Sequence, residues 1–414
     1  MGRFVKRLFI AVGVGLISGI VVLFFSSAID AGVILMTAFV LSKPLGLLWM
    51  PIIGGVLIIG LNRLYEKEDH SGIGIVQILM ELEFIKTHFM KPFRVLTRVI
   101  SATISLIFGF SVGRFGPIVH LGSAIGSNIG YYFKMSADDI RILIGCGASA
   151  AIAVVFKTPL FAAVFVLEVL FRKQYAQFFA PVVIASIVGH QIGQALNQSA
   201  SPFLVTEILT FNANDVFLYA GLGLFLSILG MVYMSSIDLA SFYFSKISSK
   251  HVRLILASVL IGGIALFFPL NMELHHQTTI QAMLGRFSVM TLIGIIIFKI
   301  IGTSISLGSG YIGGNFYPGV TIGASFGMLY NRWLYPTQFI PAFGVIGVGG
   351  MISGYLNAPI SGIVFIVESS QNLSLMVPAL LVCSISSMAV NHVFKRDIFT
   401  RPYERLLKER LKNE

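Results

Sequence analysis

Cysteine is nearly absent from this chain. Of 414 residues only Cys146 and Cys383 are cysteine, each inside an apolar stretch. Two isolated thiols exclude a disulfide framework and a cysteine-rich metal site, and read as buried structural groups. Charge is scarce too, at 11% of residues against 56% hydrophobic, a balance that excludes an ordinary soluble domain. Nothing reads as a strand or a disordered tail. The vocabulary of catalysis is also thin, with no metalloprotease helix motif and no nucleophile elbow. Gly308–Gly313 matches the dinucleotide fingerprint letter by letter, but no strand precedes it and no acidic residue stands about 20 positions on. A membrane-embedded enzyme therefore lacks its residues. A cation transporter would want carboxylates in mid-membrane, and the few present sit mostly near segment ends.

What the chain does have is long apolar runs. Stretches such as Leu8–Phe25 and Leu254–Phe268 can span or nearly span a bilayer, and about ten or more such helices are expected. The first follows Arg3, Lys6 and Arg7 but has no small-residue cleavage site, so it reads as a retained span near residues 8–28. The expectation is an all-α polytopic membrane protein, one transmembrane domain over 1–414. The apolar segment after the first span is expected to break at Pro44 and Pro51, and the connection around 269–279 to be a plain loop. The net charge of +11 reports topology rather than nucleic-acid binding. Lys and Arg gather at 3–7, 86–98, 246–253 and 395–412, while 199–215 and 269–279 carry none. By the positive-inside rule both termini are cytoplasmic, with an amphipathic helix over 397–414 on that side.

The chain repeats itself. Pro117–Gly126 aligns without gaps on Pro318–Gly327, an offset of 201, and Phe156–Glu168 on Leu356–Glu368, an offset of 200. Duplicated halves with Gly/Pro-broken helices in matching places predict a transporter-type fold, repeat one about 7–196 and repeat two about 214–394, with the site at their interface. Gly113-Arg114-Phe115-Gly116-Pro117 and Gly313-Gly314-Asn315-Phe316-Tyr317-Pro318 each put glycine before a proline-started helix. Free N–H groups at such starts suit an anion; a Gly-rich packing turn is the competing reading. The glycines at spacing four, Gly122/Gly126/Gly130 and Gly319/Gly323/Gly327, read as helix-packing positions. Glu168 and Glu368, equivalent in the two halves, read as structural hydrogen-bonding groups.

These motifs, together with Ser71-Gly72-Ile73, the Pro159 and Pro359 blocks and Tyr403, occur in the order found in the CLC family of chloride channels and chloride/proton antiporters, which the chain resembles over nearly its whole length. The resemblance implies two inverted repeats and a homodimer with a pore per subunit. It also implies chloride held by the hydroxyls of Ser71 and Tyr403 and the N–H groups of Asn315 and Phe316. An outer site and gate would lie at Arg114, Phe115 and Gly116, with Lys157 at the outer mouth. No cofactor or metal is implied beyond the transported chloride; the partners are the lipid bilayer and a second copy.

Three departures stand out. The serine motif, His70-Ser71-Gly72-Ile73-Gly74, lacks the leading glycine and closing proline, although Ser71 itself goes with chloride in this family. Phe115 occupies the position of the gating glutamate. Val169 occupies that of the proton-transfer glutamate. Neither side chain can carry a proton, which predicts anion conduction without proton coupling. His70, His120, Glu81 and Glu83 are candidates for a substitute path, for which core or surface roles are the alternative. The chain carries no C-terminal nucleotide-binding regulatory domain of the kind common in eukaryotic relatives, which points to a prokaryotic inner membrane.

Overall fold

A computed structural model describes residues 2–42, 45–65, 74–85, 90–172, 175–196, 203–272 and 277–413. His70, Ser71 and the Pro44 break lie outside them. The described residues hold seventeen α-helices and no strand, only one isolated bridge between Gly113 and Gly314. Eight helices are long and apolar enough to cross a membrane, fewer than expected from the apolar runs, because three further apolar helices are cut short.

Helices α1 (Gly2–Ser42), α2 (Gly46–Tyr65), α3 (Ile75–Glu83), α4 (Pro92–Ile107), α5 (Phe115–Tyr132), α6 (Ala137–Phe156), α7 (Pro159–Phe165) and α8 (Tyr175–Leu196) form the first half. Helices α9 (Asp215–Ser245), α10 (Lys250–Phe267), α11 (Gln277–Met283), α12 (Val289–Gly308), α13 (Phe316–Leu334), α14 (Ala342–Leu356), α15 (Pro359–Ser370) and α16 (Met376–Val393) follow in matching order, and α17 (Thr400–Asn413) ends the chain. The packing repeats as well: α5 on α6 and α13 on α14, α1 on α8 and α9 on α16. Three elements meet their own counterparts, α2 with α10, α5 with α13, and α7 with α15. An axis relating two halves passes where an element touches its own copy.

Local chemistry explains the boundaries. Pro92, Pro159 and Pro359 open α4, α7 and α15, where a missing N–H does no harm. Ser136, Ser249 and Ser288 cap α6, α10 and α12. Lys157 and Asn357 end α6 and α14 at equivalent left-handed positions, φ 58° and 53°. The glycine-to-glycine contacts are backbone to backbone. A Cβ at Gly122 would strike the Gly147 carbonyl oxygen, and one at Gly327 that of Phe343, so α5–α6 and α13–α14 close together only as glycine allows.

Three boundaries differ from expectation. The first span runs 41 residues without a break, about 61 Å at 1.5 Å per residue, so it tilts across or projects beyond a hydrocarbon core of about 30 Å. Pro51 lies inside α2 rather than breaking it, because so near the start it forfeits only the bond to Leu47. The segment read as a plain loop opens with a 3₁₀ turn, Pro269–Asn271, and ends in the first residues of α11.

Candidate functional site

The bridge joins the two glycine-proline motifs. Gly113 and Gly314 each donate an N–H to the other's carbonyl at 2.7 Å. A Cβ on Gly314 would stand 2.8 Å from the Gly116 nitrogen, and one on Gly113 2.8 Å from the Tyr317 Cβ. Side chains are excluded, so the starts of α5 and α13, two residues further on, lie side by side. The N–H groups of Phe115, Gly116, Asn315 and Phe316 have no hydrogen-bond partner among the described residues. Their neighbouring carbonyls are engaged from behind: the Tyr233 hydroxyl donates to Asn315 O at 2.8 Å and the Tyr355 hydroxyl to Phe316 O at 3.3 Å. Open donors at two converging positive helix ends make a point of attraction for an anion.

A cavity of about 460 Å³ reaches this point. Phe115, Gly116, Gly314, Asn315, Val76 and Phe399 line its deep end, and Lys250, Arg253, Arg396, Arg401 and Arg405 its other end. Phe115 is only 2% exposed. Its ring stacks on Phe316 with centroids 4.2 Å apart and meets Phe156 and Phe165 edge-on at 5.5 and 5.2 Å. Phe161 and Phe365 continue this aromatic cluster. Behind the junction the molecule is closed by packed phenylalanine.

The other residues singled out from the sequence fall in different places. The Arg114 guanidinium is buried against α1, on Asp30 at 2.7 Å and Ser26 at 3.1 Å, so its charge is already paired. Lys157 directly follows Phe156, next to the aromatic cluster. Val169 is buried within a turn of π-helix, Val166–Phe171, that continues α7. Tyr403 is half-buried near Glu83 and Arg172 and is not among the residues lining the cavity. Burial first, then the Glu83 carboxylate, push its phenol up, so it stays protonated. Phe399, one turn earlier, is the residue that faces the cavity.

Phe399 is positioned by a corner that sequence reasoning missed. The buried Asp397 carboxylate accepts the Phe399 N–H at 2.8 Å and the Thr400 hydroxyl at 3.0 Å, and pairs with Arg172 at 2.8 Å. Arg172 in turn donates to the Val169 carbonyl at 3.3 Å. The signal was an Asp three residues before a Thr at a helix start, a capping arrangement. Glu168 and Glu368 cap each other's half. Glu368 accepts the N–H groups of Leu160 and Phe161 at 2.8 and 2.6 Å, and Glu168 those of Ile360 and Ser361 at 3.0 and 2.7 Å. Glu81 is fully buried and accepts from Ser127 at 2.8 Å. His120 is buried two turns earlier on α5.

A model of the voltage gated chloride channel family matches residues 54–391. The "H(+)/Cl(-) exchange transporter ClcA" of Vibrio campbellii is 27% identical over 98% of this chain and 90% of its own length. The "voltage-gated ClC-type chloride channel ClcB" of Escherichia coli O81 is 25% identical over 96% and 98%. Among solved structures, a slow cyanobacterial Cl-/H+ antiporter superposes with a TM-score of 0.87 over 97% of this chain and 98% of that one, at 24% identity. A CLC-type fluoride/proton antiporter gives 0.82 over 96% and 98%, at 18%. With the family model covering most of the sequence and the fold matching throughout, the chain belongs to the voltage gated chloride channel, or CLC, family, a multi-pass membrane protein that transports ions rather than an enzyme.

Proposed function

We propose that the protein passes chloride passively through a pore in each subunit of a homodimer, without moving protons. The observation that carries this reading is the side chain at the junction of α5 and α13. The open N–H donors of Phe115, Gly116, Asn315 and Phe316 offer an anion several neutral partners, which suits a weakly held, exchanging ion. Beside them stands a phenylalanine ring, which has no ionisable group, and Val169, at the other proton position implied by the resemblance, has none either. Phe115 then acts as an apolar constriction whose ring edge alone is positive. The basic end of the cavity and both termini face the cytoplasm of a prokaryotic cell by the distribution of Lys and Arg. Ser71, Asn315 and Phe316 hold the central anion in this reading, and Phe399 takes the cavity position first given to Tyr403. Chloride efflux from proteoliposomes should require a potassium ionophore, as electrogenic flux does, and should drive no uphill proton uptake. Sustained proton uptake against a gradient would sink the proposal. The dimer would have twice the mass of the 45.1 kDa chain in detergent; a single-chain mass would remove it.

One observation favours a second reading, exchange of chloride for protons by an unusual path. Glu81 and Ser127 form a buried pair between α3 and α5, and on the same side of α5 lie His120 and Ser123, whose Oγ is buried without a partner. The proton-uptake assay separates the two. If uptake occurs, Glu81→Gln should abolish it; uptake that survives the substitution removes this path.

A further inference from the structure

We propose that the basic end of the cavity is a binding site for a soluble, phosphate-bearing polyanion that plugs the pore mouth. The proposal rests on the conduction reading only for its consequence; the binding itself is independent of it. The described lining residues there include five cations, Lys250, Arg253, Arg396, Arg401 and Arg405, and one carboxylate, Asp238; Lys250 and Arg405 have further interactions of their own, so Arg253, Arg396 and Arg401 carry the argument. That carboxylate is already shared, since Arg396 and Arg401 both donate to its Oδ2, at 2.7 and 2.8 Å. Arg253 stands in the first turn of α10, where the helix dipole disfavours a cation, and its buried Nε has no partner. A buried guanidinium N–H without an acceptor is an arrangement that a ligand oxygen completes.

Geometry selects the class of ligand. Guanidinium forks match the paired oxygens of phosphate, whereas chloride gains nothing from a fork. A volume of about 460 Å³ suits a small organic or inorganic phosphate rather than a single ion. Serine hydroxyls of Ser241, Ser245 and Ser309 also line the space. Because the same cavity continues to Gly116 and Asn315, an occupant at this end stands between solvent and the junction.

The test uses inorganic tripolyphosphate and the whole protein in neutral-lipid vesicles, with calorimetry on the detergent-solubilised protein as a readout that does not depend on flux. Tripolyphosphate should bind and should slow chloride efflux. Arg253→Gln and Arg401→Gln should each weaken binding about tenfold, as expected for loss of one charge-assisted contact, and lessen the block in the same order. Sulfate at matched ionic strength should do neither. Equal binding by both variants and the parent would overturn the proposal. So would equal effects of sulfate, or a block that arises only with anionic lipid, which would make a headgroup the occupant. Binding that persists while efflux is absent in every sample would count against the conduction reading and for the site.

Discussion

At the scale of the residue, the proposed conduction without protons turns on Phe115. Its place in the chain was legible, because glycines and a proline fix the turn around it. Its surroundings were not. The rings of Phe156, Phe165 and Phe316 that enclose it come from three other segments, and 35 phenylalanines in the chain give no hint of which ones meet. A carboxylate placed there would compete with the anion for the free N–H groups of α5 and α13. Phe115→Glu should therefore conduct little at neutral pH and more as pH falls, when protonation removes the competing charge. A flat pH profile would mean that Phe115 is not at the gate. Phe399 carries a second test. Phe399→Tyr adds a hydroxyl to the cavity and should tighten chloride binding about fivefold, the worth of about one hydrogen bond. Tyr403→Phe should leave it unchanged by calorimetry, and the reverse pattern would put Tyr403 in the pore. The sequence could not separate these two, since they stand four residues apart around one helix start, and the Asp397 corner that holds Phe399 ahead of the helix forms only with Arg172 in the fold.

At the scale of the element, helix starts were the most readable feature. Pro117, Pro159, Pro318 and Pro359 all sit in first turns, and the two glycine-proline starts converge as their chemistry predicts. Lengths were harder, because an apolar run carries no stop signal of its own. That is why α1 continues past its expected end and why α11, short and polar, was not seen. The reciprocal carboxylate caps are a case of duplication made visible: Glu168 and Glu368 were placed as structural groups from equivalence alone, and each accepts two N–H groups at the other half's helix start. Glu368→Gln should cost about 1–2 kcal/mol of stability, the worth of a cap, seen as an earlier thermal transition, while chloride flux per folded protein is kept. Loss of flux with unchanged melting would make Glu368 part of the pathway instead.

At the scale of the whole molecule, the duplication explains the site. Each half supplies one helix start to the junction, and neither half alone forms the proposed anion site. Two of the three contacts between counterparts, α5 with α13 and α7 with α15, are where the donors and the phenylalanine cluster lie. The composition could place the chain in a membrane, but it could not assemble the wall of arginines at one end of the cavity. Those residues come from α10, α17 and the segment between α16 and α17, which only folding brings together.

Whether protons move with chloride is read directly by the reversal potential of the reconstituted protein. With unequal chloride on the two sides, the current should reverse at the chloride equilibrium potential and stay there when a pH gradient is imposed. A reversal potential that shifts with the pH gradient would contradict conduction without protons.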